Sequence, residues 1–319
     1  MKLLILFIIG LNLAFAQTQK KVTLIERQSS ASCSSCAAAH KTFQPFAESL
    51  DDNAIIITYP RHDNSHYDPM GIFANEIVKT RMADYYNNNS FPTAVVNGKK
   101  EGYLLNILDL EPEDSDSEII INSDNSLNGT DLSLNTDLEI VGDNPNLQNP
   151  NTRLFAVIKE DYVSYDQSPG SNGETEFYDI IRYMFDNANG FEITWNDNNA
   201  TVNLNQNLDL SEVNINNLKI VVFVQNLLDG TVYQAQSFDV NLSTNINNYS
   251  DKISIFPNPS YQNIKISDLS NGDKVLIFNS LGDKVIDTLY NGNINIESLT
   301  SGQYFIILES NEIVKFVKN

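Results

Sequence analysis

Apolar positions fall in two kinds of pattern over the first hundred residues of the chain. "VTLI" (22–25) and "AIIITY" (54–59) are short, mostly apolar runs rich in β-branched residues and read as strands, the second of them buried. "GIFANEIVKTRMADYY" (71–86) has helical spacing instead, which lets Ile72, Phe73, Ile77 and Met82 share one face. "CSSCAAAHKTFQPFAESL" (33–50) also reads as a helix, with Ser32 as its N-cap. "TAVVNGKKEGY" (93–103) reads as a hairpin turning at Asn97-Gly98. The order is β-α-β-α-β-β.

After the acidic stretch "LDLEPEDSDSE" (108–118) the pattern changes. Segments such as "TDLSLNTDLEIV", "TRLFAVIKEDYV", "ATVNLN" and "LKIVVFVQN" are separated by Asn, Asp and Gly turns, and several alternate apolar with polar residues. This predicts an antiparallel β-sandwich over 118–247. "TNINNYSD" (244–251) is polar, and the short strands beyond it form a third, smaller β-module with a hairpin at Leu281-Gly282-Asp283. The expected division is therefore 17–110 (α/β), 111–117 (acidic linker), 118–247 (β-sandwich), 248–252 (linker) and 253–319 (small β-module).

The chain opens with Lys2, an apolar core from Leu3 to Ile9, and Ala14-Phe15-Ala16. This is the layout of a secretory signal peptide, residues 1–16, cut after Ala16. It is shorter than the roughly 20 apolar residues of a spanning helix. No later run is long enough, so no transmembrane segment is expected in the mature chain. Gln17 rather than Cys would come first after cleavage, so no lipid anchor is expected there. Lys and Arg total 20 against 41 Asp and Glu, for a net charge of −21. Phosphate backbones need clustered cations, so this balance argues against a nucleic-acid partner.

Cys33 and Cys36 are the only cysteines in the chain. Three chemistries fit a pair at this spacing. As a staple, the closed loop is so short that chain entropy contributes only roughly 2 kcal/mol, against about 3 for a fifteen-residue loop. As a redox pair, both sulfurs would sit in the first helical turn, where the helix dipole and free N–H groups favour a thiolate on Cys33. Cys33 would then attack and Cys36 resolve. As a metal site, the pair would need His40, four residues after Cys36, or His62 and His66. A lone Cys-x-x-Cys is a weak metal signal, and neither a metal nor a cofactor is expected.

A second motif bears on the choice. "NNNSFPTAVVNG" places Pro92 immediately before a strand, and this resembles the cis-proline loop of the thioredoxin superfamily. More narrowly, "TLIERQSSASCSSCAAAH", "SFPTAVVNG", "LFAVIKED", "YDIIRYMF" and "IVVFVQNLLDGTVYQA" resemble the Bacteroidetes outer-membrane-protein-28-like family over residues 20–245. The resemblance implies a thioredoxin-like domain followed by a β-sandwich. Ser32 and Ala37 depart from the Trp and Pro that commonly flank the motif. In thioredoxin-like proteins an acid near the end of the first strand helps proton transfer at the buried cysteine. The resemblance implies Glu26 for that role.

"SIFPNPS", "VLIFNSLGDKVI", "LTSGQYFIIL" and the terminal "IVKFVKN" resemble the type A sorting domain of the type IX secretion system. Pro257, Asn258, Pro259, Gly282 and Gly302 are the matching turn positions, with no catalytic role expected. The implied partner is the type IX secretion machinery, and the implied location is secreted or cell-surface. Two functions follow. One is a thiol–disulfide oxidoreductase with Cys33, Cys36, Pro92 and Glu26 as site residues and exported proteins as clients. The other is a non-catalytic surface interaction or adhesion protein with a structural disulfide and a surface ligand.

Overall fold

The computed structural model describes residues 18–242, 254–267, 269–308 and 313–319. The expected signal peptide and the linker at 248–252 lie outside these residues. The chain divides into two compact units, Met1–Leu242 and Ser243–Asn319.

The first unit begins as the apolar pattern predicts. Strand β1 (Thr23–Ser29) leads into helix α1 (Ser34–Ser49), β2 (Ala54–Pro60) and helix α2 (Pro69–Val78). The hairpin of β3 (Thr93–Val96) and β4 (Lys99–Tyr103) follows. β1 pairs in parallel with β2 and antiparallel with β3, giving the thioredoxin-like core. Asn97 and Gly98 both take positive φ, 45° and 82°, as a two-residue hairpin turn requires.

Two local expectations are corrected. The N-cap of α1 is Cys33, not Ser32: Cys33 is extended (φ −103°, ψ 108°) and its sulfur accepts from the Cys36 N–H. Ile77 of α2 and Met82 just beyond it are buried beside Ala74 and Val78, but Ile72 and Phe73 are exposed. The chain passes into a π-helical stretch at Lys79–Tyr85, so a face projected at 3.6 residues per turn does not run straight through it.

The strands beyond residue 118 are β5 (Ile119–Asn128), β6 (Asp131–Ile140), β7 (Thr152–Ser164), β8 (Glu176–Met184) and β9 (Phe191–Glu192). β10 (Asn199–Asn207), β11 (Leu218–Asn226) and β12 (Val232–Asp239) complete the unit. They build a sandwich, but one of its sheets is shared. β8 pairs in parallel with β2 at Thr58↔Ile180, so the main sheet runs β12-β11-β7-β8-β2-β1-β3-β4, with β9 beside β7. The expected boundary at 110–118 therefore does not separate two compact bodies. An isolated 17–110 segment would leave the β2 edge unpaired.

This sharing explains the two most apolar strands. Leu154, Ala156 and Ile158 of β7 and Ile220, Val222 and Val224 of β11 face the three-stranded sheet β10-β6-β5. Phe155, Val157, Val221 and Phe223 face the opposite way, into the core that α2 covers. Strands buried on both faces lose the alternating pattern. β6, covered on one face only, keeps it: in "DLSLNTDLEI" nearly every second residue is buried.

The second unit is a small sandwich. β13 (Ile255–Phe256), β14 (Asn263–Ile266) and β17 (Ile294–Asn295) form one sheet. β15 (Lys274–Asn279), β16 (Lys284–Leu289), β18 (Gly302–Leu308) and β19 (Ile313–Lys318) form the other, in the order β16-β15-β18-β19. Ile264, Val275, Ile277, Ile296, Ile306 and Phe316 fill the space between them. Gly282 has φ 86° in the β15–β16 turn, and Asn258 ties its loop to β19 by accepting from the Val317 N–H.

Candidate redox site

Cys33 and Cys36 are joined in a disulfide at the start of α1, with Cα atoms 5.2 Å apart. Cys33 retains 6% exposure and Cys36 none. The helix begins here because Cys33 ends the extended stretch and its sulfur meets the Cys36 N–H at 3.0 Å. Once reduced, a sulfur in this place has the Cys36 N–H and the positive end of the helix dipole beside it, which favours its thiolate.

Topology brings Pro92 to the same end of the sheet. β1 runs toward the cysteines, and antiparallel β3 starts with Thr93 opposite Gln28 near the end of β1. The Phe91–Pro92 bond is cis. Phe91 meets His66 edge-on and lies under the Arg61 guanidinium. Tyr67, 54% exposed, accepts the Ser32 hydroxyl at its carbonyl oxygen, 2.5 Å away. Exposed aromatic surface therefore stands beside the cysteine loop.

Glu26 does not stand there, and this corrects the role expected for it. Side chains alternate along β1: Ile25 and Arg27 face α1, where Ile25 packs with Ala39 and Phe43. Leu24 and Glu26 face α2. Arg81 donates to Glu26 from Nε (2.8 Å) and Nη2 (2.9 Å), and Tyr59 and Tyr86 donate their hydroxyls to the same carboxylate. The Arg81 guanidinium is ringed by Tyr85, Tyr86, Phe155 and Phe223. Its pKa is raised well above the usual arginine value, with burial opposing and the Glu26 charge overriding it. Burial, with the Glu26 charge, likewise pushes both tyrosine hydroxyls well above 10. Glu26 is thus fully engaged in this buried network, with its sheet between it and α1.

The sequence reading missed a strap between β7 and β8. Asn172 donates its N–H to Ala31 and its side-chain amide to Ser30, both at backbone oxygens just before Cys33. The approach is so close that a Cβ on Gly170 would lie 2.2 Å from the Ala31 oxygen. Asp68 anchors the same loop by accepting from the Ala31 N–H at 2.7 Å, and burial raises its pKa. His40 Nδ1 donates to Glu174 at 2.7 Å, and Nε2 accepts from the Ser29 hydroxyl. Burial lowers its pKa, so His40 is neutral near pH 7. The contacts made by Asn172 and Glu174 join residues more than 130 positions apart, with no local signal in either segment. Among the described residues no cluster of His, Cys, Asp and Glu has the geometry to hold a metal.

Residues 254–319 match the secretion system C-terminal sorting domain family. No curated protein matches the chain. Among solved structures, the fold is similar to that of HBP35 of Porphyromonas gingivalis, with a TM-score of 0.57, 13% identity, and 94% of this chain and 99% of that chain covered. A protein from Agrobacterium tumefaciens aligns over 70% of this chain and 96% of its own, at 11% identity and a TM-score of 0.40. A domain of the outer membrane lipoprotein Omp28 from P. gingivalis aligns over 40% of this chain and 90% of its own, at 18% identity and a TM-score of 0.27. The chain is thus a thioredoxin-fold protein bearing a disulfide and a C-terminal domain for type IX secretion. No helix among the described residues is long and apolar enough to cross a membrane.

Proposed function

We propose that this protein is an exported thiol–disulfide oxidoreductase of the cell surface, acting on exported proteins through Cys33 and Cys36. The placement of the Cys33 sulfur carries this reading: it caps α1 while Cys36 lies one turn inside, wholly buried. In the reducing direction the Cys33 thiolate attacks a client disulfide, forming a mixed disulfide and releasing one client thiolate. The Cys36 thiolate then attacks Cys33 Sγ, which releases the second client thiolate and closes the Cys33–Cys36 bond. Oxidation of a client is the reverse sequence. Pro92 shapes the loop that faces the pair, and Tyr67 and Phe91 offer apolar surface to a client chain. Glu26 has no part in these steps.

The deciding measurement is the reduction potential of the pair in the mature chain, since an isolated 17–110 segment would lack β8 and the strap. A value well above about −300 mV is the expected result; one well below it marks a structural bond. That outcome would favour a surface interaction protein, a reading that the strap also supports. Ser171 donates to Ser32 and Gly170 presses on Ala31, which covers one side of the cysteine loop.

The sorting domain gives a second expectation. Deleting 253–319 should leave the first unit folded, because the two units are separately compact. It should also strand the protein in the periplasm. Fractionation and surface protease digestion would read this, and unchanged surface exposure would refute the assignment of the address to these residues.

A further inference from the structure

The chain buries two arginines in β1 and its neighbours and treats them differently. Arg81 has its carboxylate in Glu26. Arg27, 2% exposed, forms no ion pair among the described residues. Of its five N–H donors, Nε is taken by the Thr58 hydroxyl (2.6 Å) and one on Nη2 by the Tyr178 carbonyl (3.1 Å). Nη1 is buried with no hydrogen-bond partner, as is the Nη1 of Arg81, and the Arg27 guanidinium lies 4.9 Å from the Phe43 ring centroid. A buried cation left in this state is costly unless something pairs with it.

Arg27 lines a cavity of about 340 Å³ between α1 and the start of β8. That volume lies at the low end of small-molecule sites, roughly 300–1,000 Å³. One part of the wall is apolar, from Met70, Phe177 and Ile180; Lys41 of α1 adds a second positive charge. The cavity also holds Asp68, Glu174 and Glu176, each engaged with the protein itself. Their presence makes a doubly charged phosphate a poor occupant. The planar guanidinium of an arginine suits a carboxylate as a charge-assisted partner.

We propose that this cavity binds a small organic monocarboxylate, its carboxylate on Arg27 and its apolar body against Met70, Phe177 and Ile180. The site is separate from thiol exchange and stands whether or not the cysteines are redox-active. Its ligand is compact, singly charged and apolar at the end away from the charge.

Benzoate is the probe, with benzamide as its uncharged counterpart, added to the mature chain. Benzoate should raise the melting temperature saturably and shift the Arg27 side-chain nitrogen resonances, and benzamide should do neither. Arg27→Met should weaken benzoate binding by roughly tenfold or more, the usual worth of a charge-assisted pair. Ala37→Phe fills the cavity from the exposed side of α1 with Arg27 intact, and should block benzoate while the protein stays folded. This variant and the benzoate–benzamide comparison decide the matter if Arg27→Met does not fold. Absence of saturable benzoate binding, an equal response to benzamide, or unchanged affinity in Ala37→Phe would each overturn the proposal.

Discussion

Replacing Arg81 with methionine should cost about 3–5 kcal/mol of stability, the range seen when one partner of a buried ion pair is removed. Both side chains of the pair are fully buried, and Arg81 contacts Glu26 through two donors. The loss would leave a carboxylate in the core with only the Tyr59 and Tyr86 hydroxyls to hold it. It would also remove the cation over Phe155 and Phe223, whose rings stack at 4.9 Å between β7 and β11. Arg81 therefore fastens the thioredoxin-like strands to those that follow. Glu26→Gln should also destabilise, because it strands the guanidinium, though its amide oxygen still accepts one tyrosine. The double variant should lose less than the sum of the two, since each single change leaves a lone charge that the second removes. Urea denaturation of the mature chain would measure all three. A loss below about 1 kcal/mol for Arg81→Met, the scale of an exposed pair, would mean that the network is solvated.

β1 shows where the sequence could and could not be read. "TLI" announces a strand, but "ERQS" after it is just as buried, and polar identity hid that the strand continues to Ser29. Alternation puts Glu26 and Arg27 on opposite faces. Which face meets α1 is decided by Ile25 packing on Phe43, a tertiary fact. The Cys-x-x-Cys pair and the Asn97-Gly98 turn were legible because each is specified by residues within a few positions. The β2–β8 pairing joins Thr58 to Ile180, and the strap joins Asn172 to Ser30. No local rule links such partners, so the shared sheet and the Arg27 cavity came only with the fold. The unbroken runs "LFAVI" and "IVVFV" did carry a hint, since a strand covered on both faces needs a second layer on each side.

The largest effect on function should come from the two cysteines, and in opposite ways. Cys36→Ser should trap mixed disulfides with client proteins, while Cys33→Ser should trap few or none. The asymmetry follows from placement: the Cys33 sulfur caps the helix and Cys36 is wholly buried one turn inside. The thiolate is the attacking species, and the helix N-terminus favours it at the first cysteine. Burial works against ionisation at the second. In the wild type the resolving thiol completes the exchange, so the mixed disulfide is short-lived; without it the intermediate has no internal exit. Alkylation of the reduced protein near neutral pH should label Cys33 before Cys36, read by mass spectrometry of the peptides. The order should be lost on denaturation, because it comes from the fold and not from the motif. Equal labelling in the folded protein, with no trapped client in either variant, would rule out the oxidoreductase and leave the disulfide as a staple for the start of α1.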